Sequence, residues 1–161
     1  WINMPAKSKM NKPEYLYIKN NQLGVHEDAE KIVKVIAGKF EKAEGPEKGH
    51  DVDPIYFHVV LEKDKEFKCD VPTAHNSFIY LLTGDLSVGE TKHDKTNNSN
   101  LILLDRGNKL IVKANEKSEF LFIAGKPIGE PIARGGPFVM NTKAEILQAV
   151  QDYHNGTFAK Y

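Results

Sequence analysis

Six histidines, His26, His50, His58, His75, His93 and His154, and one cysteine, Cys69, are the side chains of this chain best suited to hold a metal or attack a substrate. Their spacing does not favour either chemistry. No His-x-His pair places two imidazoles on one face of a strand, and no i, i+4 pair does so on a helix. A metal site would have to be assembled from distant strands. Surface or turn positions suit His26, His50, His93 and His154 better. His58 alternates against Phe57, Val59 and Leu61 and is expected to point outward. His75, in the turn Pro72-Thr-Ala-His-Asn76 ahead of a strand, is the most interesting of the six. Cys69 has no base placed for it by spacing and reads as a small, half-buried strand residue. Glu62 and Asp64 lie in a charged segment and read as surface charge rather than an acid/base couple. No nucleophile elbow, phosphate-cradling glycine loop or dinucleotide fingerprint is present.

Composition narrows the partners. The chain has 161 residues with 22 Lys+Arg against 22 Asp+Glu. Neither half is basic, and Arg106 and Arg134 are the only arginines. Phosphate-tracking surfaces carry a basic excess and base readout favours the arginine fork, so no direct nucleic-acid binding is expected. The longest apolar runs, residues 78–82 and 120–124, are too short to span a bilayer, and the first residues show no basic-then-apolar signal-peptide pattern. The lone cysteine fits a reducing compartment, cytoplasmic, or nuclear as well in a eukaryote. In that setting the Asn-x-Ser/Thr matches at Asn97 and Asn155 are chance. The first residue is Trp1 rather than Met, which raises the expectation that a part upstream is missing.

The elements that must position these residues are mostly strands. Residues 1–13 carry Pro5 and Pro13 without a period and read as an extended arm. Alternation predicts strands at residues 14–19, 31–37, 55–62, 67–71, 77–82, 86–88, 101–104, 109–112 and 119–124. Thr83-Gly84-Asp85 makes a tight turn, 97–100 a polar loop tip, and 41–54 a surface loop with one helical turn. Residues 126–137, rich in proline and glycine, are expected to be irregular. Thr142 and Glu145 have capping-box spacing, and Ile146, Ala149, Val150 and Tyr153 share one face of the helix that follows. Asn155-Gly156 supplies its stop. Short, regularly spaced strands predict a mainly β sandwich or small barrel with one C-terminal helix. The expected division is 1–25 as arm and first strand, 26–136 as barrel, and 137–161 as helix and tail.

The C-terminal third makes a family resemblance specific. The run from Phe122 through Gly125-Lys-Pro-Ile-Gly-Glu-Pro-Ile132, then Gly136-Pro-Phe-Val-Met-Asn-Thr142, with Glu145, Ile146, Gln148, Ala149, Asp152 and Tyr153, resembles the end of the pirin family. Trp1-Ile-Asn-Met-Pro-Ala-Lys7 with Lys9 and Met10 is similar to the segment that joins the two pirin domains. Ser77-Phe-Ile-Tyr80 and Thr83-Gly84-Asp85 also match. The resemblance implies a cupin-type antiparallel β-barrel or jelly roll (a double-stranded β-helix), the second of two. It implies iron in the first barrel, held by three histidines and a glutamate. Bacterial members are linked with quercetin 2,3-dioxygenase activity, and the mammalian protein with transcription-cofactor binding and redox-dependent regulation.

Carried over by spacing from Gly84, the ligand places of such a first barrel fall on Asp70, Pro72 and Asn76. The last histidine place, near Gly107, meets only Lys109, Leu110, Ile111 and Val112. Proline has no donor side chain and asparagine replaces a carboxylate poorly. The resemblance therefore implies no catalytic residue, no metal ligand and no cofactor in this chain, with iron expected in the absent N-terminal domain. The expected partner is that N-terminal cupin half, with other protein partners if the protein is a regulator, and the chain is expected to be a monomer. Trp1, Met4, Phe138 and Met140 are the candidates for an interdomain or partner surface. A third reading, a small ligand inside the barrel, competes with a core filled by Phe57, Val59 and Leu61.

Overall fold

Strand alternation sorts the side chains of this chain to two faces, and the computed structural model shows what each face meets. The structure describes residues 1–47, 51–89, 94–96 and 101–159, of which 94–96 are described by backbone alone. Fourteen strands and one α-helix follow in order among these residues. They are β1 (Gly24–Glu27), β2 (Lys31–Ala37), β3 (Lys39–Phe40), β4 (Ala43–Glu44), β5 (Ile55–Leu61), β6 (Glu66–Asp70), β7 (Asn76–Thr83) and β8 (Leu86–Val88). Then come β9 (Asp94–Thr96), β10 (Leu101–Leu104), β11 (Lys109–Ala114), β12 (Ser118–Gly125), β13 (Ala133–Gly135), β14 (Phe138–Met140) and α1 (Lys143–His154). The mainly β expectation with one C-terminal helix holds. Two compact units emerge, residues 18–127 and residues 1–17 with 128–161. These boundaries differ from the expected 25/26 and 136/137 divisions, because the strand-poor segment after residue 127 carries its own small core.

In the larger unit, a six-stranded antiparallel sheet runs β1-β2-β5-β12-β7-β10 and a four-stranded sheet runs β6-β11-β8-β9. The inward positions recur at every second residue. Val33 and Val35 on β2, Phe57, Val59 and Leu61 on β5, and Phe120 and Phe122 on β12 come from one sheet. Phe67 on β6 and Leu110 and Val112 on β11 meet them from the other. Phenylalanines fill the interior. Phe40 stacks on Phe67 at 5.3 Å between ring centroids, Phe67 meets Phe120 edge-on at 5.7 Å, and Phe57 lies 6.0 Å from Phe122. Full burial of each ring contributes roughly 1.5–3 kcal/mol, so the lumen is a packed core, as the alternation at Phe57, Val59 and Leu61 predicts.

The turn from β7 to β8 is pinned across to the start of β12. The hydroxyl of Ser118, which is buried, accepts the Asp85 amide at 3.1 Å and donates to the Glu116 carbonyl at 2.7 Å. Gly84 sits there with φ +93°, and a Cβ on it would lie 2.2 Å from Ser118 Oγ and 2.6 Å from Ser118 Cα. Only glycine permits both the backbone angle and this approach.

In the smaller unit, α1 packs on the β13–β14 hairpin. Phe138, Met140 and Ala149 are buried, with Ile146, Val150 and Phe158 packed around them. Thr142 caps the helix as its spacing predicts. Its hydroxyl accepts the Glu145 amide at 3.2 Å, while the Glu145 carboxylate accepts the Thr142 amide at 2.7 Å. The carboxylate of Glu130 accepts the Ala6 amide at 2.7 Å and Asn141 Nδ2 at 2.8 Å, which ties the first residues to the hairpin.

Three expectations change. Residues 14–19 form no strand: Tyr15, Leu16 and Tyr17 are all exposed. Their alternation finds neither a neighbouring strand nor a face to bury. Residues 41–44 close a β-hairpin from β3 to β4 instead of a loop with a helical turn, with Glu41 at φ +51°. Residues 133–140, expected to be irregular at their start, form the β13–β14 hairpin. The polar loop tip at 97–100 lies outside the described residues.

Two substitutions test the turn. Gly84→Ala is expected to lower stability by about 2–4 kcal/mol through clash and strain together. Gly38→Ala is the control: φ there is +84°, yet the nearest atom to an added Cβ is 3.3 Å away. It should cost ~1–2 kcal/mol, the left-handed strain alone. Equal urea midpoints for the two variants would refute the steric account. Thr142→Ala should cost about 1 kcal/mol of helix stability. Glu145 adds a pH signature. Hydrogen bonds from the Thr142 side chain, then from the Thr142 and Asn141 amides, hold its carboxyl below its ordinary pKa. The cap's contribution is therefore present above the ordinary carboxylate range and lost as pH falls through the lowered value. Thr142→Ala should weaken this acid dependence in helical circular dichroism, the two amide hydrogen bonds remaining.

Candidate functional site

The described histidines are held apart by the strands and turns that carry them. His58 leaves β5 on the outer face, as expected, and its Nε2 lies 2.5 Å from Glu119 Oε1 on the paired strand β12. His26 on β1 is 3.1 Å from Asp28 Oδ2 and sets its ring edge against Phe40. His154 ends α1, where a cation complements the carbonyl end of the helix. His75 is the buried one. Its amide donates to the Pro72 carbonyl at 2.9 Å, Nε2 stands 3.8 Å from Asp53 Oδ2, and Nδ1 is buried without a hydrogen-bond partner. Among the described residues Asp53 is the one acidic group paired with it, and a pair without a third group is neither a triad nor a metal site. His50 and His93 lie outside the described residues. Among the described residues no three His, Cys, Asp or Glu side chains converge on one point.

The positions that match the ligand places of a metal-bearing barrel do not fit iron. Asp70, Pro72 and Asn76 are all exposed, while Val71 between them turns into the core. The interior behind them is lined by Phe67, Ile79 and Leu110. Hydrocarbon walls offer no lone pair, and one exposed carboxylate is not a coordination shell. Lys109, at the last place, is exposed as well.

Two clefts lined by described residues open in the larger unit. One, of about 280 Å³, shows apolar wall from Val71, Val88, Ile102 and Leu110, with Asp105 and Lys109 among its lining residues. The other, of about 320 Å³, is lined by Lys39, Phe40, Lys68, Cys69, Asp70 and Lys109. Ser77, Asp105 and Lys109 border the first, and Cys69, Asp70 and Lys109 the second, but no side-chain hydrogen bond joins the members of either group into a catalytic set. The first was not legible in the sequence, because it forms where strands distant along the chain diverge.

Of the four residues expected to form a partner surface, the structure keeps two exposed. Trp1 is 90% exposed and Met4 is also exposed, whereas Phe138 and Met140 retain 9% and 8%. The latter two face α1 rather than solvent, with Phe138 4.9 Å from the Phe158 ring. They were mistaken for surface because the hairpin that turns them inward carries only three residues per strand. Trp1 and Met4 border a cleft of about 170 Å³ with Ile2, Lys9, Pro137 and Val139.

Cys69 is half-buried on β6 opposite Leu110, as its spacing predicts. Burial, and then the charge of Asp70, pushes its thiol up to about 12. The thiolate is the nucleophile, so this cysteine is chemically quiet at neutral pH. At pH 8 a disulfide reagent should modify it on the order of a hundredfold more slowly in the folded chain than in urea. Equal rates would mean that the thiol is neither shielded nor held protonated.

Comparison with known proteins places the fold. The pirin C-terminal cupin domain matches residues 56–159. A pirin-like protein of Caulobacter vibrioides is 35% identical over 160 residues, covering 98% of this chain and 57% of its own length. Pirin-1 of Arabidopsis thaliana is 33% identical over 159 residues, covering 96% and 55%. The crystal structure of a quercetin 2,3-dioxygenase from Acinetobacter baumannii superposes with a TM-score of 0.89 at 31% identity, covering 99% of this chain and 56% of that one. The chain thus spans 54% to 64% of the length of the curated relatives it matches. No described helix is long and apolar enough to cross a membrane. The antiparallel two-sheet fold and the span of the family match establish that this chain belongs to the pirin family, with the fold of its C-terminal cupin domain.

Proposed function

We propose that this chain is the metal-free C-terminal barrel of a two-barrel protein, that it scaffolds an iron-binding N-terminal barrel, and that the intact protein is a quercetin 2,3-dioxygenase. The observation that carries this reading is the interior. Phe57, Phe67, Phe120 and Phe122 fill the space between the two sheets, where a barrel that held a metal would need polar ligands. A barrel so filled contributes surface and rigidity rather than chemistry. The share of the relatives' length that this chain spans, and the dioxygenase name carried by a close structural relative, support the rest. On this reading the chain works as one copy in a cytoplasmic protein, or also a nuclear one in a eukaryote, without touching nucleic acid directly. Iron would supply binding and activation of a deprotonated substrate hydroxyl in the other barrel. The residues of this chain take no step in that chemistry.

The alternative, a protein-interaction module of a transcription-cofactor type, draws on exposed Trp1 and Met4. It loses Phe138 and Met140, which belong to the core under α1.

Iron loading decides between a filled scaffold and a catalytic barrel. After incubation with ferrous iron and desalting, this chain should retain far less than one iron and give no quercetin-dependent oxygen uptake. Stoichiometric, tightly held iron with turnover would overturn the proposal.

A further inference from the structure

An antiparallel sheet that covers a core on one side is ordinarily polar on the other. The outer face of the six-stranded sheet departs from this at its β12–β7–β10 end. Register aligns His58, Leu121, Tyr80 and Leu101 in one row across four strands. The next row is Tyr56, Ile123, Phe78 and Leu103, entirely apolar. Exposure climbs toward the edge: Leu121 and Ile123 are half-buried, Tyr80 is 40% exposed, Leu101 56% and Leu103 76%. Leu82 is exposed on the same face of β7. A contiguous apolar patch of this kind, unlike scattered leucines, marks an interaction surface.

The edge strand points the same way. Among the described residues β10 ends the sheet, and its sequence is Leu-Ile-Leu-Leu. Natural edges are normally blunted with lysine, proline or an inward charge. This one carries none, which suits an edge that is covered.

The charges on the face identify the kind of occupant. His58 and Glu119 satisfy each other, and Lys34, next to His58 on β2, donates to Asn20 Oδ1 at 3.2 Å. The two rows hold no Lys, Arg, Asp or Glu, and their one histidine is paired, so they offer little charge to steer a diffusing partner, and electrostatic steering is what transient complexes rely on. Permanent interfaces are the hydrophobic ones. The curated relatives carry more than a third of their length outside the region this chain matches. We propose that this apolar end of the sheet is the seat of that other half, anchored by Tyr80, Leu82, Leu101 and Leu103. The inference rests on the two-barrel reading above and names the surface through which the scaffold acts.

Hydroxyl-radical footprinting of the natural gene product against the isolated 161-residue chain tests it. Labelling of Tyr80, Leu82, Leu101 and Leu103 should fall about tenfold in the longer protein, as for side chains at the dry centre of an interface. Iron content and quercetin turnover are read on the same sample. Iron and turnover with unchanged labelling at β7 and β10 would overturn this surface and leave the two-barrel reading standing. Protection without iron or turnover would support the surface and remove the dioxygenase reading. A gene product no longer than this chain would overturn both. Protection already present in the isolated chain and lost on dilution would overturn the assignment in favour of a second copy. Leu101→Lys with Leu103→Lys gives an independent readout. The melting midpoint of the isolated chain should stay unchanged while that of the longer protein falls, and an equal effect on both would count against the seat.

Discussion

Everything in the larger unit depends on a row of phenylalanine rings closed between two sheets. Phe40, Phe67 and Phe120 touch in sequence, and Phe57 joins them to Phe122. Because strand side chains alternate, a slip of one residue in β5 or β12 would expel the whole set to the outer face. The register is therefore fixed by the core itself, and every other position follows from it. His58 and Glu119 meet outside because Phe57 and Phe122 meet inside. Asp70 and Pro72 are turned to solvent because Phe67 and Val71 are turned in. The same rings that hold the sheets together exclude a ligand from the lumen.

The smaller unit solves a different problem with few residues. A hairpin with strands of three residues each buries little alone, and so does a twelve-residue amphipathic helix. Phe138 and Met140 on one and Ala149 on the other supply a shared core. Gly135 allows the close approach, since a Cβ there would fall 2.4 Å from Ile146 Cγ2. Glu130 and Glu145 then spend their carboxylates on backbone and side-chain donors of the same unit, the Asn141 side-chain and backbone amides among them.

Legibility in the sequence followed from how much of each pattern is local. The alternation at Phe57, Val59 and Leu61 fixed both the strand and the outward course of His58, since period two needs no knowledge of the partner. The capping box at Thr142 and Glu145 was equally readable, because both of its hydrogen bonds lie within one turn. The alternation at Tyr15 and Tyr17 misled, since a strand exists only where another edge accepts it, and no local signal reports that edge. Phe138 and Met140 were misplaced for the converse reason: their burial is decided by a helix that begins beyond them. The outer rows at Tyr80, Leu101 and Leu103 were missed because each row crosses strands whose pairing order, β12-β7-β10, cannot be counted along the chain. The resemblance supplied the family, but not which face of the barrel is apolar.

A barrel can lose its catalytic apparatus in two ways. Ligands can be removed from a lumen that stays open, or the lumen can be filled. The first leaves a cavity, and a cavity among well-packed side chains lowers stability by several kcal/mol or so when a large residue is lost. In this chain aromatic and aliphatic residues fill the interior, while Asp70 and Asn76 lie at the surface. Filling converts a binding volume into rigidity. It also makes the outer faces the places where the sequence can still encode a partner. That is where this chain spends apolar residues that its own core does not use, on the exposed side of β7 and along the uncapped edge of β10.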